Sequence, residues 1–158
     1  MGELHYREAT FERASIDQNK REVSMSFSSE TPVDRFGESE ILDHKHADLS
    51  RISANGPLLV DHDPGRHIGT IVRAWIDGSI GRAVVKFSRS AGADEIFQDV
   101  IDGIRNSVSV GYERTAVVAR DAKKAVTRYA WRPMEVSLVS IPADSSVGVG
   151  RSQSITMS

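Results

Sequence analysis

Polar and apolar side chains alternate with a period of two through Glu22-Val23-Ser24-Met25-Ser26-Phe27-Ser28, which predicts a half-buried strand. A short apolar run, Pro57-Leu58-Leu59-Val60, leads straight into Asp61-His62-Asp63-Pro64-Gly65 and predicts a buried strand that ends at a turn. Two β-rich runs, 68–76 and 80–87, flank Asp77-Gly78 and predict a hairpin. Over 93–102, Ile96, Phe97, Val100 and Ile101 recur at helical spacing, and Gly103 stands where a helix would stop. Strands then return at 107–112, 115–119, 125–131 and 135–141, with a turn near 121–124 and with Pro133 separating the last two. The polar stretch 29–53, punctuated by Pro32 and Gly37, predicts loop with one short helix near 41–45. This is not the βαβ rhythm of a doubly wound sheet. The expected fold is α+β and β-rich: a mostly antiparallel barrel or sheet of six to seven strands with a few outer helices. One domain is expected over residues 1–148, followed by a flexible polar tail, 149–158.

Composition narrows the chemistry. A chain of 158 residues has room for one self-sufficient core. It has no cysteine, which removes disulfides, thiolate metal sites and a cysteine nucleophile. No apolar run approaches the roughly 18 residues needed to span a bilayer, and the first residues lack the apolar segment of a secretory signal, so no membrane partner is expected. Charge is asymmetric: residues 1–50 carry a net −5 and residues 51–158 a net +3. The basic residues of the second part are scattered apart from Arg120, Lys123 and Lys124, which fit a solvated turn, and no nucleic-acid partner is expected.

Candidate chemistry begins with the five histidines. His5 is expected at the surface of a frayed terminus. His44 and His46 within residues 43–48, and His62 and His67 within residues 61–67, could in principle gather with their aspartates round a divalent ion, but no metal-ligand spacing appears, and no metal or cofactor is expected. His62 directly follows an apolar strand and precedes a Pro-Gly turn, the support a general base needs, although a strand-end histidine bonded to backbone has the same pattern. Ser109 lies in Ser107-Val108-Ser109-Val110-Gly111-Tyr112, with serines on one face and valines on the other. A strand-held serine beside a glycine that admits a substrate backbone suits a nucleophile, and it equally suits a half-exposed strand. Glu135 opens the apolar strand Val136-Ser137-Leu138-Val139, so a carboxylate is carried inward, with His62 a fitting partner and Arg132 or Arg128 the alternatives.

Four blocks together carry a resemblance. Phe27-Ser28-Ser29-Glu30, then Pro57–Val60 with Asp61-His62-Asp63 and Gly69-Thr70-Ile71, then Ser107 to Tyr112, then Glu135 to Ala143, resemble in order the prohead maturation proteases of HK97-like tailed phages. The resemblance runs from about residue 8 to 148. It implies a serine protease of the assemblin-like clan shared with herpesvirus capsid maturation proteases. The family's histidine falls on His62, its serine on Ser109 and its acidic residue on Glu135. Herpesvirus members place a second histidine at the last position and carry an arginine pair near the oxyanion hole. This chain has Ala143-Asp144 there, and backbone amides of 140–144 are the expected donors.

The resemblance further implies cleavage of scaffold segments of a major capsid protein, or of a separate scaffold protein, and self-cleavage, inside a prohead assembling in the bacterial cytoplasm. A homodimer is a further expectation from the herpesvirus relatives. Two other readings stay open from the residues alone: a non-catalytic capsid or scaffold assembly module, and a metal-dependent hydrolase built on His44, His46, His62 and Asp63.

Overall fold

The computed structural model describes residues 2–140. In chain order its elements are β1 (Leu4–Asp17), β2 (Glu22–Ser29), β3 (Val33–Arg35), β4 (Glu38–Ala47), α1 (Ser50–Ser53), β5 (Pro57–Val60), β6 (Asp63–Asp77), β7 (Ile80–Phe87), α2 (Ala91–Ile101), β8 (Ser107–Asp121) and β9 (Val126–Leu138). The strand pairings run β9-β5-β6-β7-β2-β1-β8 and return to β9 through β8, so seven strands close on themselves. The first half of β9 pairs in addition with β4, which carries β3 at its edge.

Inside this curl lie the alternate residues of each strand. Val23, Met25 and Phe27 of β2 are buried, as the period-two pattern requires, with Ile71, Val85, Val108, Val110, Val136 and Trp131. The hairpin of β6 and β7 turns at Gly78, whose φ of +64° suits the tight loop, with Asp77 opposite Ile80. Helix α2 lays Ile96, Phe97 and Val100 against the sheet, with the Phe87 and Phe97 rings 4.8 Å apart, and Gly103 follows it at a φ of +77°.

The expected fold is corrected in three respects. The fold is β-rich as expected, but the described residues form one mixed sheet of nine strands rather than a mostly antiparallel one of six to seven, with β9 running parallel to both β4 and β5. The stretch read as loop with a helix at 41–45 is the strand pair of β3 and β4, and the short helix α1 lies at Ser50–Ser53. Its alternation is masked because Glu40 and His44 occupy inward positions beside Leu42, all three being buried. Pro133 does not end a strand. It sits in β9 where the register against β8 slips between Gly111–Glu135 and Tyr112–Pro133, the bulge position that tolerates a missing N–H.

The N-terminus is likewise ordered rather than frayed. β1 pairs with β2 on one edge and β8 on the other, and His5 is partly buried with its ring 5.6 Å from that of Tyr112. What makes Glu40 affordable inside is a set of donors: its Oε1 accepts from Arg7 Nη2 (2.8 Å), Arg35 Nε (3.1 Å) and Tyr112 Oη (2.5 Å). Burial raises the Glu40 carboxyl, but the hydrogen bonds from Tyr112 and Arg7 outweigh it and leave the group below the usual carboxylate range. Burial, with the adjacent Glu40 charge, pushes the Tyr112 phenol up to about 12.

Candidate active site

The site is built on the outward faces of two antiparallel strands. In β8 the valines and Tyr112 face the core, so Ser109 and Gly111 share the opposite face; in β9 Val136 and Leu138 do the same for Glu135 and Ser137. Register places Ser109 opposite Ser137 and Gly111 opposite Glu135. On the other edge of β9, β5 runs parallel, with Leu59 opposite Ser137 and Val60 opposite Leu138. Three neighbouring strands therefore deliver their residues to one patch.

β5 ends in a turn that is unusual for its residues. Val60 pairs with Asp63, and the two residues between them, Asp61 and His62, have φ of +52° and +59°. This left-handed pair is the geometry of a two-residue hairpin turn that normally takes Asn-Gly. A histidine there is strained, and the surroundings must hold it. They do so through three hydrogen bonds: Asp61 N–H to the Leu138 carbonyl (2.9 Å), His62 N–H to Ser137 Oγ (3.0 Å), and Ser140 N–H to Asp61 Oδ1 (3.2 Å).

The turn sets the imidazole between two groups. His62 Nε2 lies 2.9 Å from Ser109 Oγ, and His62 Nδ1 is hydrogen-bonded to Glu135 Oε2. Glu135 Oε1 accepts a second bond from Ser137 Oγ at 2.8 Å. Ser109 and Ser137 are 0% exposed and Glu135 8%, while the His62 side chain keeps 18%. Tyr6 of β1, opposite Gly111, lays its ring 4.1 Å from the imidazole, and Arg35 Nη2 holds the Tyr6 carbonyl at 2.8 Å. At Gly111 an added Cβ would run into the Glu135 carboxylate and come within 3.3 Å of Tyr6 Cε1. Gly111 thus makes room for the carboxylate, a different use from the approach of a substrate backbone that the sequence suggested.

Such an arrangement has the parts for nucleophilic chemistry: a hydroxyl, a base in contact with it, and a carboxylate behind the base. The structure brings Ser109, His62 and Glu135 together. The alternative partners of Glu135 are engaged elsewhere, Arg132 with Glu113 (2.9 Å) and Arg128 with Glu30 (3.0 Å). It does not bring His44 and His46 to His62 and Asp63, and among the described residues no group of three or more potential metal ligands is assembled.

His44 is instead buried, its Nδ1 donating to the Leu42 carbonyl and its Nε2 accepting from Ser28 Oγ, each at 2.9 Å. Desolvation lowers its pKa and keeps it neutral. His46 is exposed beside Asp43, and Asp63 caps the N–H of Gly65. Of the segment 140–144 named for oxyanion donors, residues 141–144 lie outside the described residues, as does the tail 149–158. Ser137 and Tyr6 escaped the sequence reading. Ser137 was accessible to it, since period two puts it on the same face as Glu135.

No family model matches this chain, and comparison with known proteins finds the following likenesses. The chain is 41% identical over 143 residues to the major capsid protein of Halomonas phage phiHAP-1, an alignment covering 85% of this chain and 24% of that protein. It therefore spans about a quarter of that relative's length. The capsid assembly protease of bacteriophage T4 superimposes with a TM-score of 0.50 at 11% identity, over 87% of this chain and 98% of the other. The fold described above is therefore one this chain shares with the T4 capsid assembly protease.

Proposed function

We propose that the chain is a serine endopeptidase domain of phage capsid maturation, with Ser109 as nucleophile, His62 as general base and Glu135 as its orienting carboxylate. The observation that carries this reading is the continuous hydrogen-bonded line from Ser109 Oγ through the imidazole to Glu135. Ser109 Oγ attacks the scissile carbonyl while His62 Nε2 takes its proton and then delivers it to the leaving amine. Water, activated by the same nitrogen, hydrolyses the resulting ester and restores Ser109. Backbone donors to the oxyanion contribute about 3 kcal/mol each to such a transition state.

The substrate is a capsid or scaffold polypeptide, and the domain cuts itself as well. Two likenesses support this: a relative named as a major capsid protein, and a shared fold with a capsid assembly protease. The relative's greater length fits a protease domain joined in one chain to capsid protein, which self-cleavage would release. On this reading the domain spans residues 1–148, and the work is done inside the assembling shell in the host cytoplasm, with a homodimer as the working unit.

The test is cleavage of a chain carrying downstream capsid sequence, followed by intact mass. Wild type releases a defined fragment and Ser109→Ala leaves the chain whole while folding normally. A Ser109→Ala chain that is still processed overturns the assignment. The relative's being a major capsid protein favours a second reading, a non-catalytic assembly module, and specific labelling of Ser109 by a fluorophosphonate, abolished in His62→Ala, separates the two.

A further inference from the structure

We propose that Ser137 is a positioning residue: one hydroxyl clamps both the strained His62 turn and the Glu135 carboxylate, and so holds the imidazole as a proton acceptor toward Ser109. The inference rests on the proposed serine-protease reading and extends it to a residue two positions beyond the acid.

The argument is a proton inventory. A serine hydroxyl has one proton to give. Ser137 Oγ accepts the His62 backbone N–H at 3.0 Å, so its lone pair is occupied on that side and its own proton is free to point at Glu135 Oε1, 2.8 Å away. An oxygen receiving that proton acts as an acceptor. Glu135 Oε2, the other carboxylate oxygen, then accepts from His62 Nδ1–H. With its proton on Nδ1, the imidazole presents a bare Nε2 to Ser109 Oγ at 2.9 Å. The chain starts at a backbone N–H that cannot reverse its polarity, and Glu135 as a carboxylate has no proton to give, so its bond to His62 Nδ1 runs in the same sense.

Burial makes the arrangement consequential. Ser137 is 0% exposed and Glu135 8%, so removing the hydroxyl takes a partner from two polar groups in a largely buried setting. The same hydroxyl bridges β5 and β9, because the turn that carries His62 leaves β5 at Val60, one residue beyond the Leu59–Ser137 pair. Ser137 is thus the shared support of two catalytic groups and touches neither substrate nor reacting atoms.

Hydrolysis of p-nitrophenyl acetate by the full chain tests this with wild type, Ser137→Ala, Ser137→Thr and Ser109→Ala, each checked for folding by thermal denaturation. The expected result is a kcat for Ser137→Ala lower by about 10- to 100-fold with KM unchanged, as for a base displaced by a fraction of an ångström to 1 Å. Ser137→Thr, which keeps the hydroxyl, recovers most of the loss. In the Ser109→Ala background, the proton resonance of His62 Nδ1–H is retained with Ser or Thr at 137 and shifts or broadens with Ala.

A Ser137→Ala enzyme with wild-type kcat, a loss confined to KM, or an unmoved His62 resonance overturns the proposal. Ester hydrolysis that survives in Ser109→Ala overturns the protease reading instead, and the resonance still decides the role of Ser137.

Discussion

Replacing Gly111 by alanine tests the site through a single methyl group. Gly111 is buried opposite Glu135, at a backbone conformation that alanine also adopts, so the substitution acts through space alone. Its Cβ would overlap the Glu135 carboxylate oxygen that holds His62 Nδ1, and would stand 3.1 Å from the carboxyl carbon. Ordinary contact needs about 3.5 Å between carbon atoms and a little less between carbon and oxygen, and the overlap with the oxygen is the larger, so the carboxylate must withdraw by about 1 Å. A displacement of that size costs about 10²-fold in rate, and full loss of the imidazole's orientation about 10⁴-fold.

Overpacking of this kind destabilises a fold by about 1–3 kcal/mol, which in a domain of this size lowers Tm by roughly 2–12 °C. The protein should therefore remain folded at assay temperature while losing between about 10² and 10⁴ in kcat for p-nitrophenyl acetate. Coupling supplies the sharper criterion. Glu135→Gln alone should lose about 10⁴, and adding Gly111→Ala to it should cost little more, because both changes act through one carboxylate. Wild-type kcat in Gly111→Ala, or losses that multiply in the double variant, would refute the geometry. A change in KM alone would return Gly111 to the role of admitting substrate.

Three further outcomes follow from burial. Glu40→Ala should destabilise the fold by about 3–5 kcal/mol in urea unfolding, since it strands the buried Arg7 and removes the acceptor of Arg35 and Tyr112. Because the folded Glu40 carboxyl sits below its ordinary value near 4.5, its contribution is complete above that pH and is lost as pH falls through the folded value. The stability gap between wild type and Glu40→Gln should accordingly narrow in acid, and a gap independent of pH below 4.5 would contradict the assignment. Ser109 has no exposure, so a fluorophosphonate reaches it only after its surroundings open. Labelling rates should level off with probe concentration at an opening rate, and strict proportionality up to high concentration would show that the serine is open at rest.

Elements with local signals were legible in the sequence: β2 from its alternation, the β6–β7 hairpin from Asp77-Gly78, and α2 from its spacing and Gly103. What stayed hidden depends on distant partners. β4 could not be read because its inward positions hold Glu40 and His44, which are tolerated only where Arg7, Arg35, Tyr112 and Ser28 meet them. The parallel pairings of β9 with β4 and β5 leave no local trace either, and Pro133 reads as a breaker until the bulge against Tyr112 is seen. At the site, the three proposed residues could be named from their motifs. Ser137 and Tyr6 matter through contacts 75 positions away in one case and across a neighbouring strand in the other.

The dependence of the site on β9 also sets a schedule. Glu135 comes 73 positions after His62, and the ring of strands closes only when β9 has paired with β5 and β8. On a ribosome adding about 5–20 residues per second, a chain that already displays His62 and Ser109 still lacks the carboxylate, the clamp and the closure for some seconds more. Pairings over such long separations are also the slow ones to form. On the proposed reading, an emerging domain of this topology has no complete Ser109–His62–Glu135 set until its last strand docks.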